Sequence, residues 1–198
     1  MFCYDIPMIK AIIFDCFGVL ASDGWLPFRK THFGDKPELL DRAIVLNRRV
    51  DAGILRYDDF IEGVAALANV SVRETHRQIE GNVPAAELFD FIQAELKPRF
   101  KIGMLSNVAA NWLDKMFSPE QVALFDAKVL SYELGVIKPD PLTYRTIAER
   151  LGVLPEECLF VDDQIRYCEG AQAIGMQAIR YQEFNQFKAE IEPLIAQN

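Results

Sequence analysis

The sequence has few of the residues that build disulfide frameworks and zinc sites. Among its 198 residues are two histidines and four cysteines. The cysteines are scattered along the chain and form no CxxC pair, occurring as Cys3, Cys16, Cys158 and Cys168. Neither a disulfide framework nor a structural zinc site is therefore expected, and reduced, buried thiols are the default.

Long apolar runs and a surplus of basic residues are also missing. No apolar run approaches the ~20 residues needed to span a bilayer, and the N-terminus has no basic segment followed by an apolar stretch and a cleavage site. We therefore expect a cytoplasmic protein with no membrane partner. The net charge of −8 argues against nucleic acid as a partner, because binding to phosphate backbones needs clustered cations.

Short apolar runs alternate with helical patterns along most of the chain. Five runs fit buried strands, namely KAIIFD (10–15), FKIGMLSN (100–107), AKVLSY (127–132), CLFVDD (158–163) and MQAIRY (176–181). Helical patterns are predicted at residues 84–96, 108–116, 140–152, 166–174 and 183–196. This alternation predicts an α/β fold with a parallel, doubly wound sheet.

Residues 22–83 differ from this pattern because only helices are predicted there. Apolar residues recur at helical spacing in two segments, at Leu39, Leu40, Ile44 and Leu46 and at Phe60, Val64, Leu67 and Ala68. We interpret 22–83 as an inserted helical cap, with 1–21 and 84–198 forming the α/β core domain.

Several polar residues follow the predicted strands, where open parallel sheets bind ligands. Asp15 follows the first strand and precedes a glycine-containing turn, so its carboxylate could act as a nucleophile. Ser106 closes the second strand; it could donate to a substrate oxygen, or cap a helix starting near residue 108. Lys138 precedes a proline and is expected on a loop, although a lysine taken alone is usually solvated.

Two adjacent carboxylates, Asp162 and Asp163, end another strand. They repel each other unless a cation or strong donors face them. Hard divalent ions such as Mg²⁺ take oxygen ligands of this kind and bridge to phosphate. The alternative is that one aspartate caps the following helix and the other points to water.

Together these motifs resemble those of haloacid dehalogenase-like hydrolases. The resemblance rests on FDCFGVL (14–20), MLSN (104–107), the lysine of GVIKPDPLTY (135–144), and FVDDQ (160–164) followed by EGAQAIGM (169–176), in that order. The segment 22–83 resembles the small helical cap of sugar-phosphate phosphatases and of the N-terminal domain of epoxide hydrolases.

The resemblance implies a Rossmann-like core and a Mg²⁺-dependent phosphatase that acts on a small phosphorylated metabolite through an aspartyl-phosphate. Asp15 would be the nucleophile, and Ser106, Asn107 and Lys138 would bind the anionic substrate. The implied Mg²⁺ ligands are Asp15, the backbone carbonyl of Phe17 and Asp163, with Asp162 as a further candidate.

The chain departs from the phosphatase pattern at Phe17, where the family normally has a second aspartate that moves protons. General acid-base catalysis is typically worth ~10²- to 10⁴-fold in rate, so a phosphatase with Phe17 should be slow or should use activated phosphates. An aromatic residue here also resembles the metal-independent 2-haloacid dehalogenases, although these have small uncharged residues in place of Asp162 and Asp163. Tyr167 is a second departure, because Asn or Asp is usual there.

Two alternatives to a phosphatase therefore stay open. One is a 2-haloacid dehalogenase-like hydrolase, and the other is a non-catalytic protein that uses the pocket to bind a phosphorylated ligand or a protein partner. The sequence specifies neither the substrate nor the oligomeric state.

Overall fold

The computed structural model describes residues 8–110 and 112–196, so Cys3 lies outside the described residues. Within them, five strands form one sheet, and all four strand pairings are parallel. The strands are β1 (Ala11–Phe14), β2 (Lys101–Ser106), β3 (Ala127–Leu130), β4 (Cys158–Asp162) and β5 (Gln177–Arg180). The predicted α/β fold with a parallel sheet is confirmed, with each predicted strand shortened at one or both ends.

The sheet has the order β3-β2-β1-β4-β5, which places β1 at its centre. The chain builds outward from β1 through β2 to β3 and then crosses to β4 on the opposite side. The carboxyl ends of β1 and β4 therefore flank the point where the strand order reverses, and crevices at such points bind ligands in open α/β sheets.

Side chains of β1 alternate between two hydrophobic cores, one on each face of the sheet. Ile12 and Phe14 pack into the first core with Ile102, Phe187 and others, whereas Ala11 and Ile13 pack into the second with residues such as Tyr144. Since β1 is buried on both faces, it reads as a continuous apolar run, as expected for a central parallel strand.

After β1 the chain forms four helices before it returns to the α/β core. They are α1 (Trp25–Phe33), α2 (Pro37–Asp51), α3 (Tyr57–Ala68) and α4 (Val72–Glu80). Their apolar side chains form a third cluster of buried residues, including Phe28, Phe33, Phe60, Ile61 and Val64. The C-terminus of α2 contacts the α/β core, since Ser131 Oγ donates to the Asp51 carbonyl oxygen at 2.5 Å.

The remaining helices connect or flank the strands of the sheet. They are α5 (Ala86–Phe91), continued by a π-helical turn (Ile92–Leu96), α6 (Leu113–Met116), α7 (Pro119–Val122), α8 (Ser131–Leu134), α9 (Pro141–Leu151), α10 (Ile165–Gln172) and α11 (Phe184–Ile195), with a 3₁₀ turn at Pro155–Glu157. None of the helices in 8–110 and 112–196 has the length and apolarity needed to cross a membrane.

Two sequence predictions about local structure are wrong. A helix was predicted at 108–116, but the described residues of that segment become helical only at Leu113. The start of the segment contacts α8 instead, because the Val108 amide donates to Ser131 Oγ at 2.9 Å. The strand predicted at 127–132 ends at Leu130, since Ser131 begins α8.

Candidate active site

Four polar residues converge at the carboxyl edge of the sheet. Asp15 directly follows β1, Ser106 is the last residue of β2, and Asp162 is the last residue of β4, with Asp163 next to it. Because β1 pairs with both β2 and β4, the ends of these three strands are neighbours. The Asp15 amide continues the pairing by donating to the Val161 carbonyl at 2.9 Å.

Lys138 is buried within this group rather than solvated. Its ammonium lies 2.8 Å from Asp15 Oδ1 and 2.6 Å from Asp162 Oδ2, and only 1% of its side chain is exposed. It also lies 5.3 Å from the centre of the Phe160 ring and 4.9 Å from that of Tyr167. Lys138 therefore bridges the carboxyl groups at the ends of two adjacent strands, β1 and β4.

Asn107 holds the loop that carries Lys138. Its Oδ1 accepts from the Lys138 amide at 2.7 Å, and its Nδ2 donates to the Lys138 carbonyl and to the Tyr167 hydroxyl, both at 3.2 Å. Asn107 thus positions the lysine backbone. It also lines the cavity described below, and its contact with substrate stays a prediction.

Tyr167 supports the same loop, although the resemblance leads one to expect Asn or Asp there. Its hydroxyl accepts from Asn107 and from Arg166 Nη2, the latter at 2.7 Å. Helix α10 approaches the loop closely at Gly170, where an added Cβ would lie 2.8 Å from both Pro139 Cβ and Tyr144 Oη. A glycine is therefore required for this packing.

The two adjacent aspartates have different surroundings. Asp162 is fully buried, and both of its oxygens have partners: Oδ2 accepts from Lys138, and Oδ1 accepts from the Gln164 amide at 2.9 Å. By contrast, Asp163 Oδ1 is buried without a hydrogen-bond partner among the described residues. The alternative of one capping aspartate and one pointing to water is wrong, because no side chain caps α10, Asp162 pairs with Lys138, and Asp163 Oδ1 is buried.

Gly18 allows the Asp163 carboxyl to approach the turn after β1. Its φ is +90°, and a Cβ built on it would lie 2.9 Å from Asp163 Cγ. The turn itself is closed by backbone hydrogen bonds from Gly18 to Ala21 at 2.7 Å and from Ala21 to Cys16 at 2.9 Å. The site therefore needs a residue here that tolerates positive φ and has no side chain.

Ser106 does not cap a helix near residue 108, because the helix predicted there is absent from the described residues. Its side chain is 1% exposed, and its Oγ has no hydrogen-bond partner within 8–110 and 112–196. Buried hydroxyls normally have a partner, so Ser106 offers a donor at the edge where Asp15 lies.

The site holds more negative than positive charge. Burial raises the pKa of Asp15 to about 8, with Lys138 opposing the rise and Asp162 adding to it. Burial also raises the pKa of Asp163 to about 6, again with a contribution from Asp162. Burial alone would lower the pKa of Lys138, but the carboxylates of Asp15 and Asp162 outweigh it and raise that pKa.

Oxygen atoms of Asp15, Asp162 and Asp163 all lie within 4.8 Å of one another. One ammonium faces these three carboxyl groups, so the cluster favours an additional cation. The unpartnered oxygen of Asp163 suits a hard divalent ion, which prefers carboxylate oxygens. The residues present therefore fit a Mg²⁺ ion.

A cavity of about 790 Å³ opens onto this cluster. Asp15, Lys138 and Asp163 line it together with the half-buried side chain of Phe17 and with residues of α1 to α4. Phe17 thus contributes an apolar ring beside the candidate nucleophile.

Sequence reasoning missed Asp51, which lines the same cavity from the end of α2. Burial raises its pKa to about 7, Asn47 opposes this through a 2.6 Å hydrogen bond, and nearby Asp23 adds to it. A signal was available, because an acidic residue at a helix C-terminus is unfavourable with the helix dipole.

The chain is similar in sequence to known proteins. Residues 9–175 match the family described as haloacid dehalogenase-like hydrolase. A phosphatase from Mycobacterium tuberculosis strain CDC 1551 is 47% identical over 28% of this chain, and the chain spans only 25% of that protein's length. A D-ribitol-5-phosphate phosphatase from Bacteroides thetaiotaomicron is 25% identical over 95% of this chain and 99% of that protein.

A solved structure shares the fold over almost the whole chain. It is the crystal structure of a HAD family enzyme from Bacteroides thetaiotaomicron as a magnesium complex, which superimposes with a TM-score of 0.69 over 93% of this chain and 98% of that chain, at 22% identity. At this identity the likeness establishes the common fold.

Proposed function

The chain belongs to the haloacid dehalogenase-like hydrolase family, and we propose that it is a Mg²⁺-dependent phosphatase of small phosphorylated metabolites. One observation carries the proposal: the buried Asp15 carboxyl, paired with Lys138 at 2.8 Å, lies beside Asp163 in the cavity. The phosphatases among the curated relatives support the same reaction class.

In this proposal Asp15 is the nucleophile. One of its carboxylate oxygens attacks phosphorus, the bond from phosphorus to the leaving oxygen breaks, and that oxygen departs with the bonding electrons. Water then attacks the aspartyl-phosphate and releases inorganic phosphate and the free carboxylate. Ionised Asp15 is required: burial raises its pKa to about 8, the Lys138 ammonium opposes that rise, and a bound Mg²⁺ would oppose it further.

Lys138 and Ser106 would hold the transferring phosphoryl group. The ammonium offsets negative charge on the phosphoryl oxygens, and the otherwise unpartnered Ser106 hydroxyl donates to one of them. Asn107 acts chiefly by fixing the Lys138 loop through its two hydrogen bonds to the backbone.

The metal ligands would be Asp15, Asp163 and the backbone carbonyl of Phe17. Asp162 is the weaker candidate, because both of its oxygens already accept hydrogen bonds. When bound, Mg²⁺ would offset the charge of the carboxyl cluster and of the phosphoryl oxygens.

The helical segment 22–83 would act as a cap and 1–21 with 84–198 as the core domain, although residues 1–7, 111 and 197–198 of these ranges lie outside the described part. The separate hydrophobic cluster of α1 to α4 supports this division. The cap residues that line the cavity would select the organic part of the substrate.

The test is a screen of phosphate esters, acyl phosphates and 2-haloacids, with and without Mg²⁺. We expect phosphate release that requires Mg²⁺ and is abolished by Asp15→Asn. The matched control is Asp90→Asn, the same change at an exposed residue of α5, which should keep the parent rate. Halide release without metal would support a dehalogenase instead, and ligand binding without turnover would support a non-catalytic protein.

A further inference from the structure

A row of aromatic rings lines the cavity that contains Asp15. Trp25 of α1 and Phe60 of α3 have ring centres 5.4 Å apart, and Tyr57 of α3 lies 4.9 Å from Trp112. The ring centres of Tyr57 and Phe60 are 6.1 Å apart, which makes the row continuous. All four residues line the cavity.

The cavity is larger than a short polar phosphate ester needs, and its walls include apolar groups that such an ester would not contact. Its volume of about 790 Å³ lies in the range of roughly 300 to 1,000 Å³ that is typical of sites for drug-sized ligands. Besides the aromatic rings, its walls include Ile44, Val50, Met116 and Ile137. A two- or three-carbon polyol phosphate would leave these apolar groups uncovered.

Trp25 offers a hydrogen-bond donor in this cavity, whose lining also includes charged residues such as Arg29, Arg48 and Asp51. Its indole nitrogen is buried and has no acceptor among the residues that the structure describes. An indole N–H can only donate, and a buried donor normally has a partner. An acceptor oxygen on the bound molecule would supply one.

Phe17 favours a leaving group that departs without a proton. Its ring lines the cavity next to Asp15, where it supplies no acid. A phenol, with a pKa of about 10 like that of tyrosine, leaves as its anion far more readily than an alcohol does. The Phe17 ring also favours an apolar group on the bound molecule.

From these observations, and resting on the proposed phosphatase function, we infer that the cavity selects aryl phosphate monoesters with an extended, mostly apolar ring system that carries an acceptor oxygen. Asp15 oxygen bonds to phosphorus as the aryl oxygen leaves with the bonding electrons. The phenolate takes its proton from water, and a second water hydrolyses the aspartyl-phosphate.

The test compares kcat/KM for 2-naphthyl phosphate, phenyl phosphate and glycerol 3-phosphate in the presence of Mg²⁺. The two aryl esters have similar leaving groups, so their ratio reports how the ring is bound. We expect 2-naphthyl phosphate to exceed phenyl phosphate by about tenfold or more, and glycerol 3-phosphate to be slower by about 10²-fold or more.

Variants separate ring binding from leaving-group chemistry. Trp112→Leu should bring the ratio of naphthyl to phenyl ester close to one, mainly through KM. Leu154→Ala should leave the ratio unchanged, because Leu154 is 57% exposed and does not line the cavity. Trp25→Phe keeps a ring but removes the N–H, so it should weaken binding of a coumarin-7-yl phosphate more than that of 2-naphthyl phosphate.

The outcomes distinguish this inference from the proposed function. Equal or faster hydrolysis of glycerol 3-phosphate would overturn the preference for aryl esters and leave the phosphatase proposal intact. If no ester releases phosphate, the phosphatase proposal fails. The affinities of the esters, measured by tryptophan fluorescence, then test the preference for aryl groups. In that case tighter binding of 2-naphthyl phosphate than of glycerol 3-phosphate supports the preference, and equal binding refutes it.

Discussion

Replacing Gly18 by alanine inserts one methyl group between the turn after β1 and the Asp163 carboxyl. The added Cβ would lie 2.9 Å from Asp163 Cγ and 3.0 and 3.2 Å from its two oxygens. The contact of 2.9 Å is shorter than real Cβ contacts, and the other two are tighter than most of them, so the carboxyl has to move. Asp163 is a proposed metal ligand, and Gly18→Ala therefore tests its placement without removing it.

Two effects of this substitution have different sizes and different readouts. The backbone at φ +90° disfavours any residue with a Cβ, which costs about 1–2 kcal/mol of stability. Displacing Asp163 should also weaken Mg²⁺ binding by roughly 10- to 100-fold, the range found when groups that orient metal ligands are changed. Urea denaturation measures the first effect, and calorimetric Mg²⁺ titration of the folded variant measures the second.

Gly175→Ala is the matched control. Gly175 has φ +97°, and an added Cβ there meets no atom within 4 Å. It should lose a similar free energy of unfolding and keep the parent Mg²⁺ affinity. If both variants bind Mg²⁺ as tightly as the parent, Asp163 is not the ligand that the structure suggests, and the reasoning is refuted.

Three other substitutions test the surroundings of the site by urea denaturation. Asp51→Asn should add about 4 kcal/mol of stability at pH 7, because burial raises the pKa of Asp51 to about 7 in the folded state, about three units above the unfolded value, and each unit is worth about 1.4 kcal/mol. The parent therefore loses stability as pH rises from about 4 to 7. The variant should lack that slope, and an unchanged slope would contradict the assignment. Asn107→Ala should cost about 1–3 kcal/mol, because the Lys138 amide loses its acceptor; a neutral result would show that water replaces it. Gly170→Ala should cost about 1–3 kcal/mol by crowding Tyr144, and Gly81→Ala, with its nearest neighbour at 3.4 Å, should cost less.

The strands and the residues at their ends followed from short-range patterns in the sequence. A run such as AIIF has no polar side chain to expose, so it predicts a strand that is buried on both faces. Asp15 and Asp162 end such runs, and parallel pairing brings their carboxyl groups to one edge. Their proximity was therefore predictable before any contact was known.

Other features depend on contacts between distant parts of the chain. The motifs together predicted Lys138 at the site, but a lysine considered alone is usually solvated, and no local pattern indicates the two carboxyl groups and two rings that enclose it. The different roles of Asp162 and Asp163 also have no local signal, because adjacent residues of the same type differ only in which partners the fold supplies. The helix predicted at 108–116 was wrong for a similar reason: the Val108 amide at its start donates to Ser131 Oγ, which belongs to the first residue of α8.

The sequence by itself determined the order of strands and helices and the set of polar residues at the sheet edge, because these depend on neighbouring residues and on the geometry of parallel pairing. Only the tertiary structure decided which of the two adjacent aspartates pairs with the lysine, which one has an oxygen without a partner among the described residues, and which aromatic rings line the cavity. Each of these depends on side chains brought together from separate elements, and no local pattern encodes their distances.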